Sequence, residues 1–214
     1  MQVPHETTAA LAAMIREAGA QTEIEIRMKC TDEQVNKIVC RLYSNKKWSS
    51  VHEHQYVDHL CTDVRMRFAQ SNAKPACVSK TVQRSCTLVA TADWHDDPFV
   101  MRIASSTEAP ARQKSKKDVH AIRSVQRLSF VHKDYIRFDV SKVVQTAEKD
   151  YTRQMPCVCL NEVEIELIGR NAAYDSAPDA AQLYAESMLM KGADIIQILG
   201  PTDVDPSSIV FSAC

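Results

Sequence analysis

The sequence predicts a mainly β protein of the α+β class: a closed antiparallel β-barrel of about eight strands forming a tunnel, with a few flanking helices. Three observations carry that expectation. Short stretches alternate apolar and polar residues with a period of two, over residues 22–29, 63–69, 77–91, 99–108, 124–131, 135–144 and 161–169. Helical patterning is confined to a few short segments outside them. The polar positions of the strands are charged in a way that a merely wetted sheet face does not require.

Taken in order, a first helix is expected within residues 6–18. "TEIEIRMK" (22–29) places Glu23, Glu25 and Arg27 on one face and Ile24, Ile26 and Met28 on the other. "TDEQVNKIVCRLYS" (31–44) reads as a helix with Thr31 and Gln34 set as a capping box. "VHEHQYVDH" (51–59) holds His52, His54 and His59 without HExxH spacing, so a surface or loop segment is expected rather than a zinc site. The next strands offer Arg65 and Arg67, then Lys80, Val82 and Arg84, then Arg102 and Glu108. "ADWHDDP" and "PARQKSKKD" read as turn and loop between strands, with "RQKSKK" (112–117) a solvated loop. Later strands place Arg123, Val125, Arg127 and Ser129 on one face, and Arg137, Asp139 and Ser141 likewise. "NEVEIEL" (161–167) sets Glu162, Glu164 and Glu166 side by side. A last helix is expected over 177–191, begun near Pro178 and stopped at Gly192. Residues 1–214 read as one domain.

Composition narrows the function classes. The chain has 214 residues, is 45% hydrophobic and 25% charged, and carries a formal net charge of −1. Near-zero net charge argues against coating nucleic acid by bulk electrostatics, so any polyanion is gripped locally. No apolar run approaches the roughly 18 residues of a membrane span, and the N-terminus lacks a secretory pattern. Its eight cysteines are scattered, and a chain this long builds a core without staples. Reduced thiols in a nuclear or cytosolic protein are expected. The Cys157/Cys159 pair lacks a second pair for zinc, and no GxxxxGK[ST] run is present.

Glu and Asp are depleted in strands, yet five glutamates share faces in two strands at opposite ends of the chain, while the other strands supply mostly Arg and Lys. A charged face that points into a closed barrel has consequences. Two carboxylates about 4 Å apart repel by roughly 4 kcal/mol at an effective dielectric near 20. A cluster of them needs raised pKa values or a bound cation. All-oxygen donors suit Mg²⁺ or Mn²⁺, and guanidinium groups on the opposite wall suit a polyphosphate. That arrangement is what phosphoryl transfer requires.

At these residues a family resemblance emerges. "EIEIR" and "EVEIEL" resemble the two glutamate-rich strands of the triphosphate tunnel metalloenzymes. Within them, "RSVQRLSFVHKDYIRFDVSKV" (123–143) is similar to the metal-dependent RNA 5′-triphosphatases of fungal, protozoal and viral mRNA capping, and "STEAP" (106–110) is similar to their Glu-Leu-Pro strand end. The resemblance runs from about residue 22 to 169. It implies metal ligation by Glu23, Glu25, Glu164 and Glu166, with Glu162 in support. It implies phosphate binding by Arg65, Lys80, Arg123 and Arg127, and an attacking water placed by Glu108. Arg137, Asp139 and Ser141 match an Arg-x-Asp-x-Thr set that orients its neighbours. Val125 departs from the pattern, because the family usually has lysine there. The implied reaction removes the γ-phosphate from the 5′-triphosphate end of nascent RNA, with Mg²⁺ or Mn²⁺ as cofactor and NTP hydrolysis as a side activity. An mRNA guanylyltransferase is the implied partner, no membrane is involved, and the implied location is the nucleus, or the cytoplasm for a viral protein. Two alternatives are a small-molecule inorganic or thiamine triphosphatase of the same superfamily, and a non-catalytic polyphosphate- or RNA-binding barrel.

Overall fold

Alternation in the strands separates an apolar outer face from an ionic inner one, and the topology follows from burying the first. The computed structural model describes residues 3–69, 74–147, 157–201 and 208–213. Its strands are β1 (Thr22–Cys30), β2 (Ser50–Leu60), β3 (Arg65–Ala69), β4 (Ala76–Ala92), β5 (His95–Pro110), β6 (Ala121–His132), β7 (Ile136–Ala147), β8 (Val158–Cys159), β9 (Asn161–Leu167) and β10 (Ile209–Ala213). Its helices are α1 (His5–Glu17), α2 (Asp32–Ser44), α3 (Ala172–Asp175) and α4 (Ala180–Leu199). The order β4-β3-β2-β6-β7-β9-β1-β5 closes through a β4–β5 pairing, giving a ring of 8 antiparallel strands. β8 and β10 lie off the ring, on β7 and β4. Closure leaves the ring itself without open edges.

The outward side chains of the ring form one core with the helices. Ile24 and Ile26 of β1, Met101 and Ile103 of β5, Phe138 of β7 and Ile165 of β9 cluster with Leu11, Ile38, Tyr184, Met188 and Ile196. Each such side chain stabilises by roughly 1.5–3 kcal/mol when fully buried. A one-residue slip of β1 or β9 would drive glutamates into that core, so the apolar pattern fixes the register. A smaller cluster of Cys61, Val64, Met66 and Val119 lies apart from it, with Phe68 and Ile122 packed against it.

Local signals explain several boundaries. Thr31 accepts from the Gln34 amide, and the Gln34 side chain accepts from the Thr31 amide, completing the capping box of α2. The β6–β7 connection turns at Lys133 and Asp134, with φ of 51° and 62°, a left-handed pair closed by the Tyr135 amide donating to the His132 carbonyl at 3.3 Å. Gly169 passes close beneath that turn, where a Cβ would come within 2.5 Å of the Asp134 carbonyl oxygen.

Three expectations are corrected. Residues 51–59 are not a loop but belong to β2, and without them the ring could not close. The strand went unrecognised because both of its faces are polar, so it lacks apolar alternation. The last helix does not stop at Gly192 but runs on to Leu199. There the missing side chain permits close approach to the sheet, since a Cβ would lie 3.2 Å from the Met101 sulfur. In β4 an irregularity between Val82 and Arg84 reverses the alternation, the expected effect of a β-bulge. Arg84 therefore leaves the charged inner face and pairs with Glu17 of α1 at 3.2 Å. No helix among the described residues is long and apolar enough to cross a membrane.

Candidate active site

The inner face gathers the charges that alternation assigned to it. Glu25 lies directly opposite Glu166 across the β1–β9 ladder, and Arg27 opposite Glu164. Arg137 lies opposite Glu166, Asp139 opposite Glu164 and Ser141 opposite Glu162 across β7–β9. Residues directly opposite in an antiparallel pair share a face with Cβ atoms about 4.5–5.5 Å apart. The three late glutamates thus sit between a strand that brings Glu23, Glu25 and Arg27 and one that brings Arg137, Asp139 and Ser141.

Ion pairs join these groups in one continuous chain. Arg65 donates to Glu108 at 2.7 Å. Lys80 donates to Glu23 at 2.8 Å and Glu25 at 3.4 Å, and stands 3.9 Å from Glu108. Arg27 contacts Glu25, Glu164 and, at 3.5 Å, Glu162. Arg127 spreads its fork over Ser141 at 3.0 Å, Asp139 at 2.9 Å and Glu164 at 2.7 Å. Asp139, fully buried, also accepts from Ser129 at 2.6 Å and Arg137 at 3.1 Å, and Arg137 reaches Glu166 at 2.5 Å. Asp139 thus accepts three hydrogen bonds, and it fixes the planes of two arginines at once.

The electrostatic balance differs from one carboxylate to the next. Burial pushes the Glu164 carboxyl up, but Arg127 and then Arg27 outweigh it and hold it below the usual range. Burial dominates at Glu166, and with Glu23 and Asp139 nearby it overcomes Arg137 and raises the pKa to about 7. Glu162 is likewise raised, by burial first, against the pull of Arg27. Burial works against the charge on Arg127, yet Glu164 and Asp139 more than offset it and hold its pKa above the ordinary arginine value. Lys80 is raised in the same way: burial opposes its charge, and Glu25 and Glu23 overcome it.

The wall formed by β2, β3 and β6 follows another plan. Arg67 lays both arms of its fork on Asp58, at 2.8 and 2.9 Å, and stacks over the Tyr56 ring at 3.8 Å. Tyr56, Val125 and Val143 form a buried apolar patch on this inner face. Val125 lies directly opposite Tyr56 and Val143 in the two ladders, so an apolar contact fills the position where the resemblance leads one to expect lysine. Arg123 donates to Gln145 at 2.7 Å.

Every residue assigned a role from the sequence lies on the inner face of the ring. Arg27, Asp58, Tyr56 and Ser106 were given no role, although parity placed Arg27 there. Asp58 and Tyr56 were hidden because β2 was not recognised as a strand.

The carboxylates fit a hard divalent cation by donor chemistry, although each is turned onto a neighbouring cation. Among the described residues, no three His, Cys, Asp or Glu side chains converge as a ready cage. Two observations support the fit. Burial raises Glu166 to about 7 and also raises Glu162 despite their arginine neighbours, so this wall packs carboxylates where their charge is costly. The buried Ser106 hydroxyl, opposite Glu23 in the ladder, has no hydrogen-bond partner among the described residues.

A closed antiparallel ring with an ion-paired interior defines a tunnel fold. Its particular form is that of solved RNA triphosphatases. The chain is similar to S. pombe Pct1 RNA triphosphatase, with a TM-score of 0.68 and 17% identity over 91% of this chain and 93% of that one. It is similar to the Mimivirus capping enzyme triphosphatase, with a TM-score of 0.64 and 16% identity over 91% of this chain and 99% of that one. No protein-family model matches the chain, and no curated protein matches it in sequence.

Proposed function

We propose that this chain is a metal-dependent RNA 5′-triphosphatase. It hydrolyses the γ-phosphate of a 5′-triphosphate RNA end, leaving a diphosphate end and inorganic phosphate. The observation that carries the reading is the register of the inner wall: Glu25 faces Glu166, Glu23 and Glu164 flank them, and Lys80 and Arg127 reach in from either side.

Glu23, Glu25, Glu164 and Glu166 hold Mg²⁺ or Mn²⁺, and Glu162 supports them through Arg27. The bound cation supplies neutralisation of charge on the γ-phosphoryl oxygens. Arg65, Lys80 and Arg127 take up the remaining charge as the bond to the leaving oxygen breaks. Arg123 serves as the further phosphate contact in place of the family lysine at Val125, since its fork carries no carboxylate partner among the described residues. Arg65 is preferred to Arg67 for phosphate because Asp58 occupies both arms of Arg67. Glu108, 2.7 Å from Arg65, places the attacking water in line and accepts its proton. Arg137, Asp139 and Ser141 orient Arg127 and Glu166 rather than touching the substrate. An mRNA guanylyltransferase would consume the diphosphate end, in the nucleus or at a viral site in the cytoplasm. A similar Mimivirus domain comes from a trifunctional mRNA capping enzyme.

The test compares Mn²⁺-dependent phosphate release from triphosphate-ended RNA and from tripolyphosphate. A higher kcat/KM on RNA is expected. Preference for tripolyphosphate would replace this reading with a small-molecule triphosphatase. Binding without release from either would replace it with a non-catalytic barrel.

A further inference from the structure

We infer that the Glu162 end of the tunnel carries a second binding site, for the phosphodiester backbone of single-stranded RNA, with Lys29 and Arg102 as its contacts. This rests on the triphosphatase reading and names the part of the substrate that reading leaves unplaced.

The inward series of β1 does not stop at the ion-pair chain. It continues from Glu23, Glu25 and Arg27 to Lys29, which lies directly opposite Glu162. Across the other ladder, Arg102 lies directly opposite Arg27. Two like charges facing each other across an antiparallel pair are unfavourable unless an anion lies near them. The nearby acids are already committed: Glu25, Glu162 and Glu164 all contact Arg27. Lys29 and Arg102 are exposed, and neither has an acidic partner among the described residues. On the facing wall, Arg123 donates to Gln145, two inward positions beyond Ser141, the ladder partner of Glu162. This end of the tunnel is therefore rich in cations, and among the described residues its acids, Glu162 and Asp58, already pair with Arg27 and Arg67.

The backbone extends this end into a ledge. The β1–β5 pairing finishes at Met28 opposite Met101, but β5 reaches back to His95 and β4 on to Ala92. Leu88, Ala90, Phe99 and Met101 bury the outer side of this ribbon in the core. On the side that carries Arg102, Val100 is left 52% exposed. The ribbon is thus braced from behind and open in front, with a fork, an ammonium and an apolar side chain together.

Distance selects the ligand. Lys29 lies four residues beyond Glu25, roughly 13 Å of strand. The remaining phosphates and the first ribose of a triphosphate end fill that span when the γ-phosphate lies among Arg65, Lys80 and Arg127. ATP and tripolyphosphate carry no phosphodiester to place on the ledge, whereas an RNA chain places its next phosphodiesters there.

The experiment uses Lys29→Ala, Arg102→Ala and the double variant, with a 5′-triphosphate oligoribonucleotide and with ATP. For the oligonucleotide, KM is expected to rise roughly three- to fivefold for each residue removed. The slope of log KM against log salt should fall by about 0.7 per residue. KM for ATP should stay unchanged, and Arg102→Lys should keep most of the RNA affinity. Equal losses on both substrates, or no loss on the oligonucleotide, would overturn the proposal. Fluorescence anisotropy of the labelled oligonucleotide reads the ledge without turnover. Absence of phosphate release by the wild-type chain contradicts the triphosphatase reading, whereas unchanged oligonucleotide binding in the double variant contradicts the ledge.

Discussion

The two inner walls of the tunnel are built on opposite principles. On the β1–β9–β7 wall, acids and bases alternate in space and every carboxylate is shared, yet Glu166 and Glu162 still hold their protons too tightly for ordinary glutamates. On the β2–β3–β6 wall, arginines outnumber acids: Arg65, Arg67, Arg123 and Arg127 share the inner face with Asp58. Arg67 is locked by Asp58 and Tyr56, Arg123, opposite Asp58 in the ladder, leans on Gln145, and the apolar patch around Val125 lies between Arg123 and Arg127. The first wall concentrates buried carboxylates and the second can accept negative charge. On the proposed reading a metal–phosphate unit between them would suit both, and breaking either wall should have distinct signatures.

The largest effect is expected at Arg127, which ties the walls together. Arg127→Ala should lower kcat by about 10²–10³-fold, because a donor aimed at developing charge is lost. It should also cost about 3–5 kcal/mol in denaturant unfolding, because Asp139 is left buried and under-paired. Arg127→Lys should not restore activity, since an ammonium cannot span Ser141, Asp139 and Glu164 together.

A smaller effect concerns the acid wall alone. The Glu166 carboxyl is raised to about 7, chiefly by burial. A group raised on folding stabilises the protein fully below its unfolded value, and that contribution is lost as pH rises through about 7. Glu166→Gln mimics the protonated form. It should therefore stabilise the metal-free protein by on the order of 1–3 kcal/mol at about pH 8 and change little at about pH 4. Since a metal must displace that proton, Mn²⁺ affinity measured by calorimetry should weaken as pH falls below about 7, with proton release on binding.

The smallest effects separate the arginines of the other wall. Arg123→Ala should raise KM for triphosphates by roughly tenfold with kcat little changed. Arg67→Lys should move KM by less than about threefold, since Asp58 rather than substrate occupies that fork. The reverse ranking would mean that Arg67 swings free to take phosphate.

Legibility in the sequence followed the same division. β1, β7 and β9 were readable because each alternates apolar residues against charged ones, so parity alone placed Glu23, Glu25, Arg137, Asp139 and the late glutamates on one inner face. α2 was readable from Thr31 and Gln34. β2 was not, since His52, Glu53, His54 and Gln55 give neither face an apolar identity, and with it Tyr56 and Asp58 stayed hidden. The reversal at Val82 and Arg84 has no local signature, because the bulge reflects how β4 must bend around the ring. Gly192 looked like a helix stop, but contact with Met101 decided otherwise. The resemblance located the missing lysine at Val125, whereas the apolar cluster that fills its place needed coordinates.

The most direct test of the account is γ-phosphate release from triphosphate-ended RNA with Mn²⁺, by the wild-type, Glu25→Ala and Glu166→Ala proteins. The account predicts turnover by the wild-type chain and loss of about 10²-fold or more in both variants, with Mn²⁺ binding weakened in parallel. Activity like wild type in both variants, or none in any of the three, would contradict it.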